Sequence, residues 1–181
     1  MKAKHLILII LPVALCAGPG HAAEPPADPW LRPAVVPAPD NNALNPDRVA
    51  LGRALFFDPR LSGSNWISCA SCHNPALGWS DGLPTAIGHG MKTLKRKTPT
   101  IVNTAYNPLQ MWDGRKPTLE DQALGPIASP DEMNLPLETL VAKVGAIEGY
   151  HRLFQNAYPG EPISAETIAK AIVSALIGSP G

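Results

Sequence analysis

Two cysteines and a histidine stand close together in the first half of the chain: Cys69, Cys72 and His73, in the run Cys-Ala-Ser-Cys-His. This spacing is typical of the covalent attachment site of a c-type haem. In such a site the two thiols add to the haem vinyl groups as thioethers, and the adjacent imidazole becomes an axial ligand of the iron. The motif therefore predicts one covalent haem c, held by Cys69 and Cys72 and ligated by His73.

Other uses of a Cys-x-x-Cys pair need features that this sequence lacks. A structural zinc site takes four ligands, and the 181 residues contain no second cysteine pair. A thioredoxin-like redox pair lies at the start of a helix that follows a strand, whereas glycine, serine and asparagine surround this motif. The residues themselves thus favour haem attachment.

The start of the chain has the composition of a secretory signal peptide, expected over residues 1–23. Lysines precede the apolar run 6–15, and small residues follow it. No later segment approaches the roughly 18 apolar residues that span a membrane. We therefore expect an exported, periplasmic protein that is not bound to the membrane. Loss of this segment also removes Cys16, which leaves only the two cysteines of the motif.

The charge balance narrows the class of partner. The chain has 15 basic and 15 acidic residues, and two of the lysines lie in the predicted signal peptide. The mature protein is therefore slightly acidic, which argues against nucleic acid as a partner.

The elements that must position the motif begin after a proline-rich N-terminal arm, expected over residues 24–45. Asn45 suits a helix cap and Pro46 the first helical position, so the folded domain is expected to cover 46–178. Its first helix should end before Pro59.

Three further helices and several long loops are expected. One helix follows Thr118 and ends at Gly125-Pro126, a longer one covers about 137–154, and the last follows Ser164. Residues 100–106 suit either a short helix or an extended segment. Since no segment alternates as a strand would, the predicted fold is mostly α: a single cytochrome c-like haem domain with long loops around the haem.

Seven blocks follow one another along this domain: LGRALFFDPRLS from 51 to 62, CASCH, DGLPTAIGHG from 81, TPTIVNTAYN from 98, WDGR from 112, LEDQALGPI from 119 and EMN from 132. In this order they resemble the bacterial di-haem cytochrome c peroxidases and their MauG relatives. The resemblance implies an N-terminal, peroxidatic haem domain. Such a domain reduces hydrogen peroxide to water with electrons from a small redox protein of the cytochrome c or cupredoxin type.

The resemblance also implies roles for four residues outside the attachment motif. His89 matches the histidine that caps the distal side of the iron in the resting form and leaves on activation. Gln122 and Glu132 match the distal-pocket pair, with the glutamate as acid–base catalyst. Trp112 matches the tryptophan placed between the two haems.

Each of these residues also has an ordinary structural interpretation. His89 lies between two glycines, which suits either an iron ligand on a movable loop or a surface histidine. Glu132 has the residue type of a helix entrance, and Gln122 that of a solvated helix face. Trp112 has the alternative of core packing.

Met133 supports a different function. A methionine ligand closes the second axial position of a haem iron and favours electron transfer. The alternative function is therefore a monohaem electron carrier, with Met111 as a further candidate for the sixth ligand. A third possibility is a haem-binding fragment without turnover.

The sequence departs from the family pattern in two ways. Family members carry a second haem domain, but this sequence holds one Cys-x-x-Cys-His run. We expect either a truncated or partial copy, or a domain that works alone with another donor. The family also binds calcium between its domains near the segment matching Arg96-Lys97. Lys97 replaces the common asparagine ligand, which argues against calcium here. A homodimer is compatible with the sequence.

The attachment motif leads to a prediction about the haem. Because thioether bonds survive unfolding, the denatured protein should keep one haem per chain, and Cys69→Ala combined with Cys72→Ala should abolish it. Extraction of the haem from wild type by acid and organic solvent would contradict covalent attachment.

Overall fold

The computed structural model describes residues 35–178. This part of the chain forms six α-helices: α1 Pro46–Phe57, α2 Cys69–Cys72, α3 Leu119–Ala128, α4 Leu137–Gly145, α5 Glu148–Ala157 and α6 Ala165–Gly178. Three isolated antiparallel bridges are the only β pairing in this range, so the predicted mostly α fold class is confirmed. None of these helices has the length and apolar character to cross a membrane. The predicted signal peptide lies outside the described residues, as does the first half of the predicted arm.

Helix α1 begins and ends where its sequence predicts. The Asn45 side chain accepts a hydrogen bond from the Arg48 backbone N–H at 2.8 Å, and Pro46 occupies the first helical position. The helix stops at Phe57, before Pro59. Both ends follow from local chemistry, because a capping oxygen satisfies a free N–H and proline disfavours helical backbone before it.

The hydrophobic core forms around α1 and α6, whose backbones touch at Gly52. A Cβ atom built on Gly52 would overlap the carbonyl oxygen of Ala171. Helices α3 and α4 also pack against α6, and α5 packs against α1. This explains why α6 is buried on almost every side. The fully buried apolar residues are Leu51, Leu55, Leu61, Ile127, Leu140, Ile168, Ala171 and Val173.

A buried asparagine fixes the segment that precedes α1. Asn42 lies in a short turn at Asp40–Asn42 and is fully buried. Its amide donates to the Lys170 carbonyl at 2.9 Å, and its side-chain oxygen accepts from the Ser174 and Tyr158 hydroxyls, each at 3.2 Å. Because a buried amide needs partners, this network holds the start of the described chain on α6.

Helix α3 extends past the expected end at Gly125-Pro126 and finishes at Ala128. Proline lacks an N–H, so only the bond to the Gln122 carbonyl is lost at this point. The last turn remains helical because Ile127 is buried and because a returning loop satisfies its carbonyls. Met133 N–H donates to Pro126 at 3.0 Å, and Leu135 N–H donates to Ile127 at 2.8 Å.

The expected long helix over 137–154 is instead two helices, α4 and α5, that break at Ile147. Ile147 has extended backbone, with φ −96° and ψ 106°. Val144 and Tyr150 are both buried, yet one straight helix would turn them about 120° apart. The break brings both apolar faces onto one core. In the segment 100–106, the structure forms a short 3₁₀ turn at Thr104–Tyr106.

Buried Asp58 connects the end of α1 to α5. Its carboxylate accepts from the Tyr150 hydroxyl at 2.7 Å and from the Arg60 guanidinium and backbone N–H. Burial alone would raise the pKa of Asp58, but the hydrogen bonds from Arg60 and Tyr150 outweigh it and lower the pKa. The charged carboxylate therefore orients the chain where it leaves α1 toward the haem motif.

The contact at Gly52 predicts a strong effect of a single methyl group. Gly52→Ala should lower the free energy of unfolding by about 1–3 kcal/mol, because the two backbones must separate. The matched control is Gly149→Ala in α5, where an added Cβ meets no atom within 4 Å; it should leave stability unchanged or raise it by up to about 1 kcal/mol. Thermal or denaturant unfolding of the full chain measures both, and equal stability of the two variants would contradict the close contact.

Candidate haem site

The attachment motif forms a single helical turn, α2. Ser68 caps it: the Ser68 backbone N–H donates to the Ser71 hydroxyl at 3.0 Å, and the Ser71 N–H donates to the Ser68 carbonyl at 3.0 Å. At the other end, the His73 N–H donates to the Cys69 carbonyl at 2.9 Å. One turn of backbone therefore carries both thiols and the imidazole.

The two thiols are half-buried and free of any disulfide. Burial raises the pKa of Cys69 to about 12. The pKa of Cys72 is also raised, first by burial and then by the negative charges of Asp81 and Glu132. Both sulfurs are thus neutral thiols, and both remain available for bonding to a group outside the protein.

The His73 imidazole contacts a backbone carbonyl through one of its two ring nitrogens. Its Nδ1 lies 3.3 Å from the carbonyl oxygen of Trp79. Because a carbonyl only accepts, a proton on Nδ1 satisfies this contact and leaves the Nε2 lone pair for a metal. The Pro99 carbonyl is a second backbone acceptor for the ring. Burial lowers the pKa of His73, so the ring is neutral at pH 7. This is the state in which histidine binds a metal.

His89 lies on a second loop that is joined to the loop carrying Glu132. The His89 N–H donates to the Asp131 carbonyl at 3.0 Å, and a Cβ on Gly88 would overlap the same oxygen. The Nδ1 atom of His89 is buried without a hydrogen-bond partner. Buried polar atoms normally have partners, so this orphaned nitrogen suits a ligand that the protein alone does not supply.

Glu132 lies in a turn between α3 and α4, and its side chain is half-buried. The expected helix entrance at Glu132 is wrong, because α4 begins only at Leu137. Stabilisation of a helix dipole therefore does not account for this carboxylate. The charge of Glu132 contributes to the raised pKa of Cys72, which places it within electrostatic reach of the attachment motif.

Gln122 belongs to α3, the helix on which the Glu132 turn folds back. It is half-buried and lies one helical turn before Pro126. The Pro126 carbonyl accepts from Met133, the residue after Glu132. Gln122 and Glu132, the predicted distal pair, are thus connected through the backbone. One helical turn joins Gln122 to Pro126, and the hydrogen bond from Met133 joins Pro126 to the Glu132 turn.

The two methionines considered as alternative ligands pack against protein. Met133 is 4% exposed and belongs to the hydrophobic core cluster. Met111 is half-buried, and its terminal methyl lies 3.6 Å from the position of a Cβ on Gly125. Both side chains therefore have structural roles that need no iron.

Trp112 is on the surface, 91% exposed, so the alternative of core packing is wrong. It lies in a loop closed by a bridge between Gln110 and Lys116. It lines an open cavity of about 480 Å³ with Leu77, Lys97 and residues 98–100. Neither cysteine of the motif nor His73 lines this cavity, so the structure does not bring Trp112 together with the attachment residues.

The segment that follows the attachment motif exposes many large apolar side chains. Among the described residues, twelve large hydrophobic side chains are exposed, and eight of them lie between residues 77 and 112: Leu77, Leu83, Ile87, Met91, Val102, Tyr106, Leu109 and Trp112. Within this segment, the Ile87 carbonyl lies 3.9 Å from the Cys72 sulfur. The two free thiols, the neutral imidazole and the orphaned histidine nitrogen fit a covalently attached haem.

The Trp79 and Asp131 carbonyls and the Ser68 cap are parts of the site that sequence reasoning missed. The two carbonyls act through the backbone, so the identity of their side chains gives no signal. The Ser68–Ser71 cap does have a sequence signal, a serine three residues before a polar partner at the start of a helix.

The helical fold and the Cys-x-x-Cys-His turn define a c-type haem domain. The sequence profile of the di-haem cytochrome c peroxidase family matches residues 46–174. The chain is 51% identical over 144 residues to the methylamine utilization protein MauG of Methylorubrum extorquens, and 43% identical over 124 residues to cytochrome c551 peroxidase of Pseudomonas aeruginosa. These alignments cover 79% and 67% of the chain. The chain therefore belongs to the di-haem cytochrome c peroxidase family, whose members bind c-type haem covalently.

A solved structure agrees with this assignment. A MauG-like protein associated with microbial copper homeostasis superposes with a TM-score of 0.73 at 34% sequence identity, over 84% of this chain. The chain matches 47% of that structure, 41% of the M. extorquens protein and 36% of the P. aeruginosa enzyme. It thus spans half or less of the length of these relatives.

The orphaned nitrogen of His89 leads to a spectroscopic prediction. If His89 binds the ferric iron in the resting state, His89→Gly should convert a low-spin six-coordinate spectrum to a high-spin one. The matched control is His151→Ala, since His151 lies on α5 and contacts the Gly145 carbonyl at 2.6 Å; its spectrum should match wild type. An unchanged spectrum in His89→Gly would assign the sixth ligand elsewhere, to Met133 or Met111.

Proposed function

We propose that this chain is the peroxidatic haem domain of a cytochrome c peroxidase, and that it reduces hydrogen peroxide to water with electrons from a small redox protein. Relatives named cytochrome c peroxidase support this proposal. The observation that carries it is the hydrogen bond from His89 N–H to the Asp131 carbonyl, which joins the His89 loop to the turn that holds the half-buried Glu132. The charge of Glu132 also acts on the Cys72 thiol of the attachment motif.

Three residues would hold the cofactor. Cys69 and Cys72 would form the two thioether bonds, and the free Nε2 of His73 would bind the iron. When bound, the haem supplies the electrons and the open coordination position that peroxide reduction requires. The Trp79 carbonyl fixes which nitrogen of His73 is available.

Glu132 would move the proton. Reduction of one peroxide to two waters consumes two electrons and two protons, and the oxygen–oxygen bond breaks more easily when the departing oxygen is protonated. A carboxylate held near the bound peroxide can take the proton from one oxygen and deliver it to the other. The amide of Gln122 would donate a hydrogen bond that orients the peroxide.

His89 would control access to the site. Its loop contains Gly88 and Gly90, and Gly90 has φ +63°, a conformation that glycine adopts without strain. We infer that His89 would help hold the haem in the resting protein and would release it on activation. The bond from His89 N–H to Asp131 couples this movement to the turn that carries Glu132.

The electrons would come from a cytochrome c or cupredoxin-type donor in the periplasm, where the predicted signal peptide would direct the protein. Exposed Trp112 is the proposed point at which electrons pass toward the haem. We propose one haem for this chain. Lys97, in place of the common asparagine ligand, argues against calcium binding at this segment. A homodimer is compatible with this proposal.

The proposal predicts the effect of removing the carboxylate. Glu132→Gln should slow the reaction of the reduced protein with peroxide by about 10²–10⁴-fold, the range for a positioned acid–base group. Stopped-flow mixing at equal haem content measures the rate. The matched control is Glu138→Gln, an exposed residue in the first turn of α4, which should react at the wild-type rate.

Two results would contradict the proposed function. A Glu132→Gln variant as fast as wild type would remove the glutamate from the chemistry. A reduced wild-type protein that binds neither carbon monoxide nor peroxide would instead support the monohaem electron carrier, whose iron has both axial positions closed.

A further inference from the structure

The loop that follows His73, residues 74–80, places the Trp79 carbonyl next to the His73 ring. It is closed by hydrogen bonds from Asn74 N–H to Ser80 at 3.1 Å and from Trp79 N–H to Asn74 at 2.8 Å. Gly78 and Trp79 both have positive φ, +68° and +60°. This conformation is uncommon for a bulky residue such as tryptophan, and it persists only where the surroundings impose it. The Trp79 carbonyl oxygen in this loop lies 3.3 Å from His73 Nδ1. The Pro99 carbonyl, in the neighbouring segment 98–100, is a second hydrogen-bond acceptor for the same ring.

A second segment, 98–100, holds this loop on both sides of Trp79. The Thr100 hydroxyl donates to the Gly78 carbonyl at 2.7 Å. The Ser80 hydroxyl donates to the Thr98 carbonyl at 2.8 Å, and the Thr98 hydroxyl donates to the Asp81 carboxylate at 2.8 Å. Residues 78, 80 and 81 are thus tied to 98–100, and we name these three hydrogen bonds the proximal brace.

The proximal brace is partly buried, and other contacts support it. Thr98 is 6% exposed, so water competes poorly for its bond to Asp81. The Asp81 carboxylate also accepts from the Leu83 N–H at 3.0 Å. The ring of Trp79 packs edge-on against Phe56 of α1, with ring centres 5.8 Å apart. Trp79 is therefore held by α1 on one side and by the brace on the other.

We propose that Thr98 and Thr100 are positioning residues that hold the Trp79 carbonyl against His73 and so set the electron-donating strength of its imidazole. This inference rests on the proposed ligation of haem iron by His73. A carbonyl held close to Nδ1–H draws the proton and makes the opposite nitrogen a stronger donor. A stronger donor stabilises ferric over ferrous iron, so an intact brace lowers the reduction potential.

The test compares three versions of the full chain with covalent haem. Thr98→Val with Thr100→Val removes both hydroxyls while keeping the branched shape. Thr98→Ser with Thr100→Ser keeps the hydroxyls and serves as the rescue. Thr104→Val is the matched control, because the Thr104 hydroxyl bonds the Ile101 carbonyl at 3.0 Å and does not contact residues 78–81.

Two measurements report on His73 without using activity. Redox titration of the valine variant should give a more positive midpoint, by roughly a tenfold change in the ferrous-to-ferric ratio, or ~59 mV for one electron. Resonance Raman spectra of the ferrous protein in a His89→Gly background should show the iron–histidine stretch at lower frequency. The serine variant and Thr104→Val should match wild type in both measurements.

The outcomes separate the brace from the proposed function. The valine variant could fold with full haem content and still show the wild-type reduction potential and iron–histidine stretching frequency. That result would overturn the proposed role of the proximal brace. If the double variant does not fold, Thr100→Val alone, at an exposed residue, should still raise the potential, and an unchanged value there would overturn the brace as well. If the His89→Gly protein with both threonines intact shows no iron–histidine stretch, His73 does not bind the iron. That result would overturn the proposed ligation and the role of the proximal brace together.

Discussion

The backbone contact between α1 and α6 at Gly52 is the constraint on which the rest of the fold depends. Only a residue without a side chain lets the two helices approach so closely. Once they are together, the buried face of α1 ends at Asp58, whose hydrogen bonds to Arg60 and Tyr150 direct the chain toward the haem motif. The haem loops therefore start from a rigid position, although they contain little regular structure.

The candidate site is assembled from loops that the backbone joins to one another and to the core. Asp131 holds the His89 loop, and the turn containing Glu132 returns onto α3. Trp79 is held between α1 and the segment 98–100. Main-chain carbonyls make the first two contacts, whereas the Phe56 ring and the Thr98 and Thr100 hydroxyls make the third. His89 and Glu132 are thus placed by backbone groups, which are the same in every residue, and Trp79 by particular side chains.

This explains which features could be predicted from the sequence. The Asn45 cap, the Pro46 start and the haem motif depend on residue type over a few positions, and the structure forms the cap and the helix start as expected. The continuation of α3 past Pro126 and the break at Ile147 depend on burial against distant helices, which short-range patterns do not contain. The left-handed backbone of Trp79 escaped prediction for the same reason.

The α1–α6 pairing also has a consequence for the order of events during synthesis. The haem motif lies between the two helices in the sequence, so it leaves the ribosome after α1 and well before α6. A chain made from its N-terminus lacks the close contact of α1 at Gly52 until α6 is made, and contacts between distant segments form late. Cys69 and Cys72 are therefore made before the helix that closes the core, and both residues are half-buried once it is in place. This order of the helices allows a haem to reach the two thiols before the protein folds around them.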